Sequence, residues 1–224
     1  MKNELKIILI LLLLVVLSFF GFAQFYKSQS NIITESKSQK TESINVSVSE
    51  KLVRPDSPRQ GPENARVTLV EFLDPECESC RAFFPEVKRI LKEYEGQLRF
   101  VVRYMPFHSN SVVAASATEA AGKQGKYWEM QELLFAKQPE WSHKQEPQRE
   151  LMINYAREIG LDMEKFGADF SNILVFQKIE QDRLDGVALG VNGTPSFFIN
   201  GKRLEDLSYE ALKREIDLAF KASN

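Results

Sequence analysis

Residues 67–80 constrain the fold more than any other stretch of the chain. Val67–Asp74 (VTLVEFLD) is rich in β-formers and apolar on both faces, as a central sheet strand is. Cys77-Glu78-Ser79-Cys80 follows at once and opens a helical pattern that runs to about Tyr94, where Gly96 ends it. Phe83, Phe84, Val87, Ile90 and Leu91 recur at three-to-four spacing along it. A strand that feeds straight into a helix puts Cys77 at the helix N-terminus, where free amides and the macrodipole favour a thiolate over a thiol. Cys80 lies one turn inward. The pair therefore reads as redox-active, with Cys77 the attacking thiolate and Cys80 the resolving thiol. A stapling disulfide explains it poorly, because so small a loop constrains little chain entropy. A metal site would need two more ligands, and His108 and His143 are the only histidines, so neither metal nor cofactor is expected.

The remaining pattern is β, then a long helical stretch, then β, β, α. Leu98–Met105 reads as a second strand stopped by Pro106. Ser111–Ala136, Gln148–Ile159, Met163–Phe170 and Phe176–Leu189 are helical by period. Ser196–Asn200 and Lys202–Leu204 form a hairpin about Asn200-Gly201, and Ser208 caps a last helix from Tyr209 to Ala219. One residue breaks the apolar face Val67-Leu69-Glu71-Leu73 of the first strand. Burial there should raise the pKa of Glu71, which could then relay a proton to or from Cys80.

The N-terminal quarter is of another kind. After Lys2 and Lys6, Ile7–Ala23 is a 17-residue run that is apolar but for Ser18 and Gly21. It fits either a signal peptide cleaved after Ala23 or a short membrane anchor, and in both cases the rest of the chain is exported, to the periplasm or cell envelope. No cysteine near its end could take a lipid. Residues 24–60 read as a flexible polar tether, since 27–60 hold 15 Ser, Thr, Asn or Gln, 10 charged residues and no aromatic. Folded structure is then expected over 61–224. With 29 Lys and Arg against 31 Asp and Glu, the chain lacks the basic surplus of a nucleic-acid binder.

Glu71, Cys77-x-x-Cys80 and the segment Gly-Val-Asn-Gly-Thr-Pro-Ser-Phe-Phe-Ile-Asn-Gly from Gly190 to Gly201 together resemble the thioredoxin superfamily. More narrowly, they resemble the DsbA-like thiol–disulfide oxidoreductases. The resemblance covers about Pro62 to Phe220. It implies an α/β thioredoxin fold with a helical domain inserted at about 109–175, and a Thr194-Pro195 cis bond facing the cysteine pair. It also implies that Pro85 kinks the active-site helix, and that Glu78, Ser79, Thr194 and Pro195 border the substrate. The implied partners are cysteine-bearing substrate proteins and a membrane redox partner, either a quinone-linked oxidase or an electron donor. Dimeric members carry an N-terminal dimerisation domain, and the tether is too polar to be one, so a monomer is expected. Strongly oxidising members hold Pro-His between their cysteines, whereas this chain holds Glu78-Ser79. Glu78, with Glu76, should oppose the Cys77 thiolate and leave its pKa higher and the pair less oxidising. A reductase or isomerase kept reduced, or a non-catalytic chaperone-like module, are the alternative readings.

Overall fold

A computed structural model describes residues 50–222; the apolar run at 1–23 and most of the tether lie outside the described residues. Among the described residues, no helix is long and apolar enough to cross a membrane.

Five strands make one sheet: β1 (Arg59–Gln60), β2 (Val67–Leu73), β3 (Leu98–Tyr104), β4 (Ser196–Ile199) and β5 (Lys202–Arg203), in the order β1-β3-β2-β4-β5. β2 and β3 run parallel, with Leu69 opposite Phe100 and Glu71 opposite Val102, and are joined through helix α1 (Glu78–Glu93). Parallel neighbours cannot be joined by a hairpin, so the helix between them is what the β-α-β pattern requires. β4 returns antiparallel to β2, placing Phe197 opposite Glu71, and turns into β5 through Asn200 (φ 46°) and Gly201 (φ 88°). The Asn200 side chain fixes that turn by accepting from the Thr68 amide at 2.8 Å.

Each face of the sheet has its own core, as the two-sided apolar strands require. On one face Val67, Leu69, Leu73, Phe100, Val102 and Phe197 pack with Val87 and Ile90 of α1 and with Leu212 and Ile216 of the C-terminal helix (Tyr209–Ala222). On the other face Val70, Phe72, Val101, Met105 and Phe198 meet Leu52 and Val191. The helix Ile173–Ala188 lies against this second face and approaches closely at Gly186, where a Cβ would sit 2.9 Å from Met105 Sδ. The same helix supplies Asp182 and Asp185 to the fully buried Arg103 of β3, at 2.8 and 2.6 Å. A guanidinium out of water needs that much compensation.

Between β3 and this helix the chain forms α2 (Ser111–Gly122), α3 (Tyr127–Ala136), α4 (Gln138–Trp141), α5 (Arg149–Glu158) and α6 (Met163–Phe170); Ile173–Ala188 is α7 and Tyr209–Ala222 is α8. Their shared core is made by Ala114, Ala117, Ala120 and Ala121 of α2 against Met130, Leu134, Trp141, Met152 and Phe166. Alanine on so many sides of α2 lets its neighbours approach closely.

Four expectations need correction. The tether does not extend to 60. Leu52 is buried, Arg54 Nη2 reaches Asp185 Oδ1 at 2.8 Å, and β1 pairs with β3, so residues 50–60 belong to the folded unit. A polar average hides a single well-placed leucine and arginine. The helix expected over Ser111–Ala136 is two helices, broken where Gly125 takes φ 77° and the Lys126 amide returns to the Ala121 carbonyl. α4 has no counterpart in the periodicity, being one turn long. α7 begins three residues before Phe176, because Asn172 caps it by accepting from the Leu174 amide at 2.9 Å.

Candidate active site

α1 begins at Glu78, with Cys77 as its N-cap, so the Cys77 sulfur stands where the first-turn amides are free. The turn before it is held by Asp74. Its carbonyl accepts from the Cys77 amide at 3.1 Å, and its buried carboxylate accepts from the amides of Glu76 at 2.9 Å and Phe107 at 2.8 Å. Gln138 of α4, buried, donates to the carbonyls of Pro75 at 2.8 Å and Cys77 at 3.1 Å. The inserted helices thus grip the strand-to-helix turn that carries the cysteines.

Both thiols are free and their surroundings are unequal. Cys77 is half-buried, with Sγ 3.4 Å from the Thr194 carbonyl, and the Thr194-Pro195 bond is cis. Its pKa is lowered from 9.0 to about 5. The hydrogen bond from Cys80 leads this fall, supported by Thr194 and the amides of Ser79 and Cys80, and together they outweigh partial burial. Cys80 is 1% exposed, and burial, with the hydrogen bond to Cys77 and the charge of Glu71, pushes its thiol well above the ordinary value.

Glu71, 4% exposed on the apolar face of β2, has its pKa raised by burial from 4.5 to about 8. It lines a cavity of about 230 Å³ with Gln60, Lys88, Trp128, Gln131 and Glu132. Lys88 and Glu132 form an ion pair at 2.6 Å, and each side chain is about half exposed.

The structure therefore brings Glu71, Cys77, Cys80 and Thr194 together. Pro195 is buried at the start of β4, while Ser79 is exposed. Glu78 is exposed too, and Oε1 lies 3.2 Å from His143 Nε2. Glu76 is wholly buried, accepting from the amides of Asn110 at 2.6 Å and His143 at 2.7 Å. Both carboxylates expected to oppose the thiolate are engaged elsewhere, and the Cys77 pKa is low rather than high. Sequence reasoning missed Asp74, His108, Gln138 and His143. Their signal is positional: an aspartate immediately before Pro75, closing a buried strand, is a turn-former.

A family model described as thioredoxin matches residues 54–218. A thioredoxin-like oxidoreductase from Silicibacter pomeroyi superposes with a TM-score of 0.66 and 31% identity, covering 77% of this chain and 97% of that one. BdbD from Bacillus subtilis, in its oxidised form, superposes with a TM-score of 0.67 and 25% identity, covering 74% and 94%. Among curated proteins, the Na(+)/H(+) antiporter NhaA of Herminiimonas arsenicoxydans is 39% identical over 164 residues, which are 73% of this chain and 25% of that protein. The chain spans about a quarter of the length of the curated relatives it matches. With the family model covering most of the chain and a thioredoxin-like oxidoreductase at 31% identity matched along nearly its whole length, the chain belongs to the thioredoxin family.

Proposed function

We propose that the protein is an exported oxidoreductase that introduces disulfides into cell-envelope proteins through Cys77 and Cys80. The observation that carries this reading is the inequality of the two sulfurs: Cys77 half-exposed with a pKa of about 5, Cys80 buried and held as a thiol. An oxidant is driven by the stability of its reduced form, and a thiolate already favoured at neutral pH supplies it. The same low pKa makes Cys77 a good leaving group.

In the oxidised enzyme, a substrate thiolate attacks Cys77 Sγ of the Cys77–Cys80 disulfide. The S–S bond breaks, a substrate–Cys77 disulfide forms, and Cys80 leaves as a thiolate. Buried as it is, that thiolate takes a proton from Glu71, which is mostly protonated at pH 7. A second substrate thiolate attacks the substrate sulfur of the mixed disulfide and expels Cys77 as a thiolate. Two electrons have passed from substrate to enzyme. The cavity beside Glu71 gives the carboxyl a way to recover its proton from solvent. Reoxidation passes the two electrons to a membrane partner linked to quinone, or to a small disulfide. The cis Thr194-Pro195 segment, against Cys77, borders the incoming chain together with Glu78 and Ser79.

Export rests on the apolar run Ile7–Ala23, and on nothing in the described residues. Antiport is not carried over from the curated relatives, because the shared segment is only a quarter of them. Non-reducing gels test the roles of the two cysteines. Cys80→Ser should accumulate mixed disulfides with substrates and Cys77→Ser none; the reverse pattern would exchange the two roles, and inert thiols in the wild type would remove the activity.

A further inference from the structure

His108 and His143 come from different loops and meet at the cysteine turn. His108 Nδ1 lies 2.7 Å from Asp74 Oδ2, and Asp74 is the residue whose carbonyl receives the Cys77 amide. The two imidazoles pack edge to face with centroids 5.7 Å apart. His143 in turn stands 3.2 Å from Glu78, the residue after Cys77. Its backbone is held at φ 55°, a conformation rare outside glycine, by the hydrogen bond from its amide to buried Glu76. A strained backbone that is fixed by a buried carboxylate, and that aims a ring at the active-site turn, calls for a reason.

We propose that His108 and His143 are positioning residues outside the Cys-x-x-Cys loop: His108 supplies positive charge that favours the Cys77 thiolate, and His143 holds Glu78 away from the sulfur. His108 acts on the charge of the sulfur, and His143 engages Glu78, one of the two carboxylates that flank Cys77 in sequence, at 3.2 Å. The inference rests on the reading of Cys77 as the reactive thiolate.

The groups facing His108 are Asp74 and Glu76 from the turn after β2, Cys77 from the cap of α1, and His143 from the loop after α4; Glu78 faces His143. Lys144, beside His143, offers its backbone carbonyl to Ser109 Oγ and Asn110 Nδ2. Around His108 the carboxylates and the sulfur outnumber the cations. Burial pulls its pKa down, but the hydrogen bond to Asp74 and the charges of Asp74, Glu76 and Cys77 leave it raised. A thiolate at Cys77 therefore favours the imidazolium at His108, and by linkage the imidazolium favours the thiolate.

Thermodynamic linkage makes this coupling measurable from both ends. Having only two histidines, the full chain gives two resolvable ring signals when its histidines are isotope-labelled. In an NMR titration, the His108 pKa should fall on going from the reduced to the oxidised protein, because the disulfide carries no charge. For a partly exposed pair, the fall should be a few tenths of a unit to about one. In the reduced protein, thiolate absorbance should show the Cys77 pKa rising by the same amount in His108→Asn, whose amide still donates to Asp74. His143→Asn, which tolerates the positive φ, should raise it by less. An equal His108 pKa in both oxidation states, or a Cys77 pKa unmoved in His108→Asn, overturns the proposal while leaving the proposed function standing. A wild-type Cys77 that titrates near 9 overturns the proposed function and this inference with it.

Discussion

Replacing Glu71 by Gln should stabilise the protein in a way that depends steeply on pH. The unfolded carboxyl titrates near 4.5 and the folded one near 8, so the native state binds more protons between these values. Its contribution is therefore neutral below pH 4.5 and increasingly destabilising as the pH rises through 8. Moving a carboxyl from 4.5 to about 8 corresponds to about 5 kcal/mol between its two protonation states. About 3 kcal/mol of that is already felt at pH 7. Glutamine has the shape of the protonated acid, so the two proteins should match near pH 4.5 and differ by about 5 kcal/mol near pH 9. Oxidised protein gives the simpler curves, because in the reduced form Cys77, at about 5 against 9 when unfolded, adds a pH-dependent stability common to both proteins. The assay is urea unfolding of both oxidised proteins at several pH values. Parallel stability curves would refute the reasoning, since they would mean that Glu71 ionises freely in the folded protein. If Glu71 also relays the proton, the variant should slow the first substrate attack, which expels Cys80, more than the second, which expels Cys77.

Three further outcomes follow from the packing. Asp182→Ala leaves the buried Arg103 guanidinium short of a partner and should cost about 3–5 kcal/mol in denaturant unfolding, with the Cys77 pKa unmoved. Leu52→Ala should cost about 2–5 kcal/mol, and an unchanged unfolding midpoint would return residues 50–60 to the tether. Gly186→Ala puts a methyl against Met105 and Phe72 and should cost about 1–3 kcal/mol by thermal melting; a neutral result would mean that α7 can lift from the sheet at no expense.

The redox half of the site was legible because its parts are local. Cys77, the β2-to-α1 transition and the Asn200-Gly201 turn each declare themselves within a few residues, through period and turn chemistry. Glu71 was legible because a lone acid on an apolar strand face has few bland explanations. The electrostatic half was not. Asp74 and His108 are 34 residues apart, and Glu76 and His143 are 67 apart; nothing in either segment announces the other. The expectation that Glu78 and Glu76 would suppress the thiolate counted charges along the chain, whereas the fold turns one carboxylate into the interior and gives the other a histidine. The start of the domain was misplaced for a related reason. Composition over 27–60 is a mean, and burial of Leu52 together with the Arg54–Asp185 pair is a property of two residues.

The inequality of the two sulfurs has a consequence for recognition. Near neutral pH the reduced protein carries a negative charge on Cys77 that the oxidised protein lacks. Oxidation state is thus displayed on the outside as an electrostatic label. On the proposed function, a substrate still holding thiols meets no thiolate at Cys77, whereas a reoxidising partner would meet one only on molecules that have already turned over. One buried thiol and one half-exposed thiolate are enough to sort the two encounters, without any movement of the backbone.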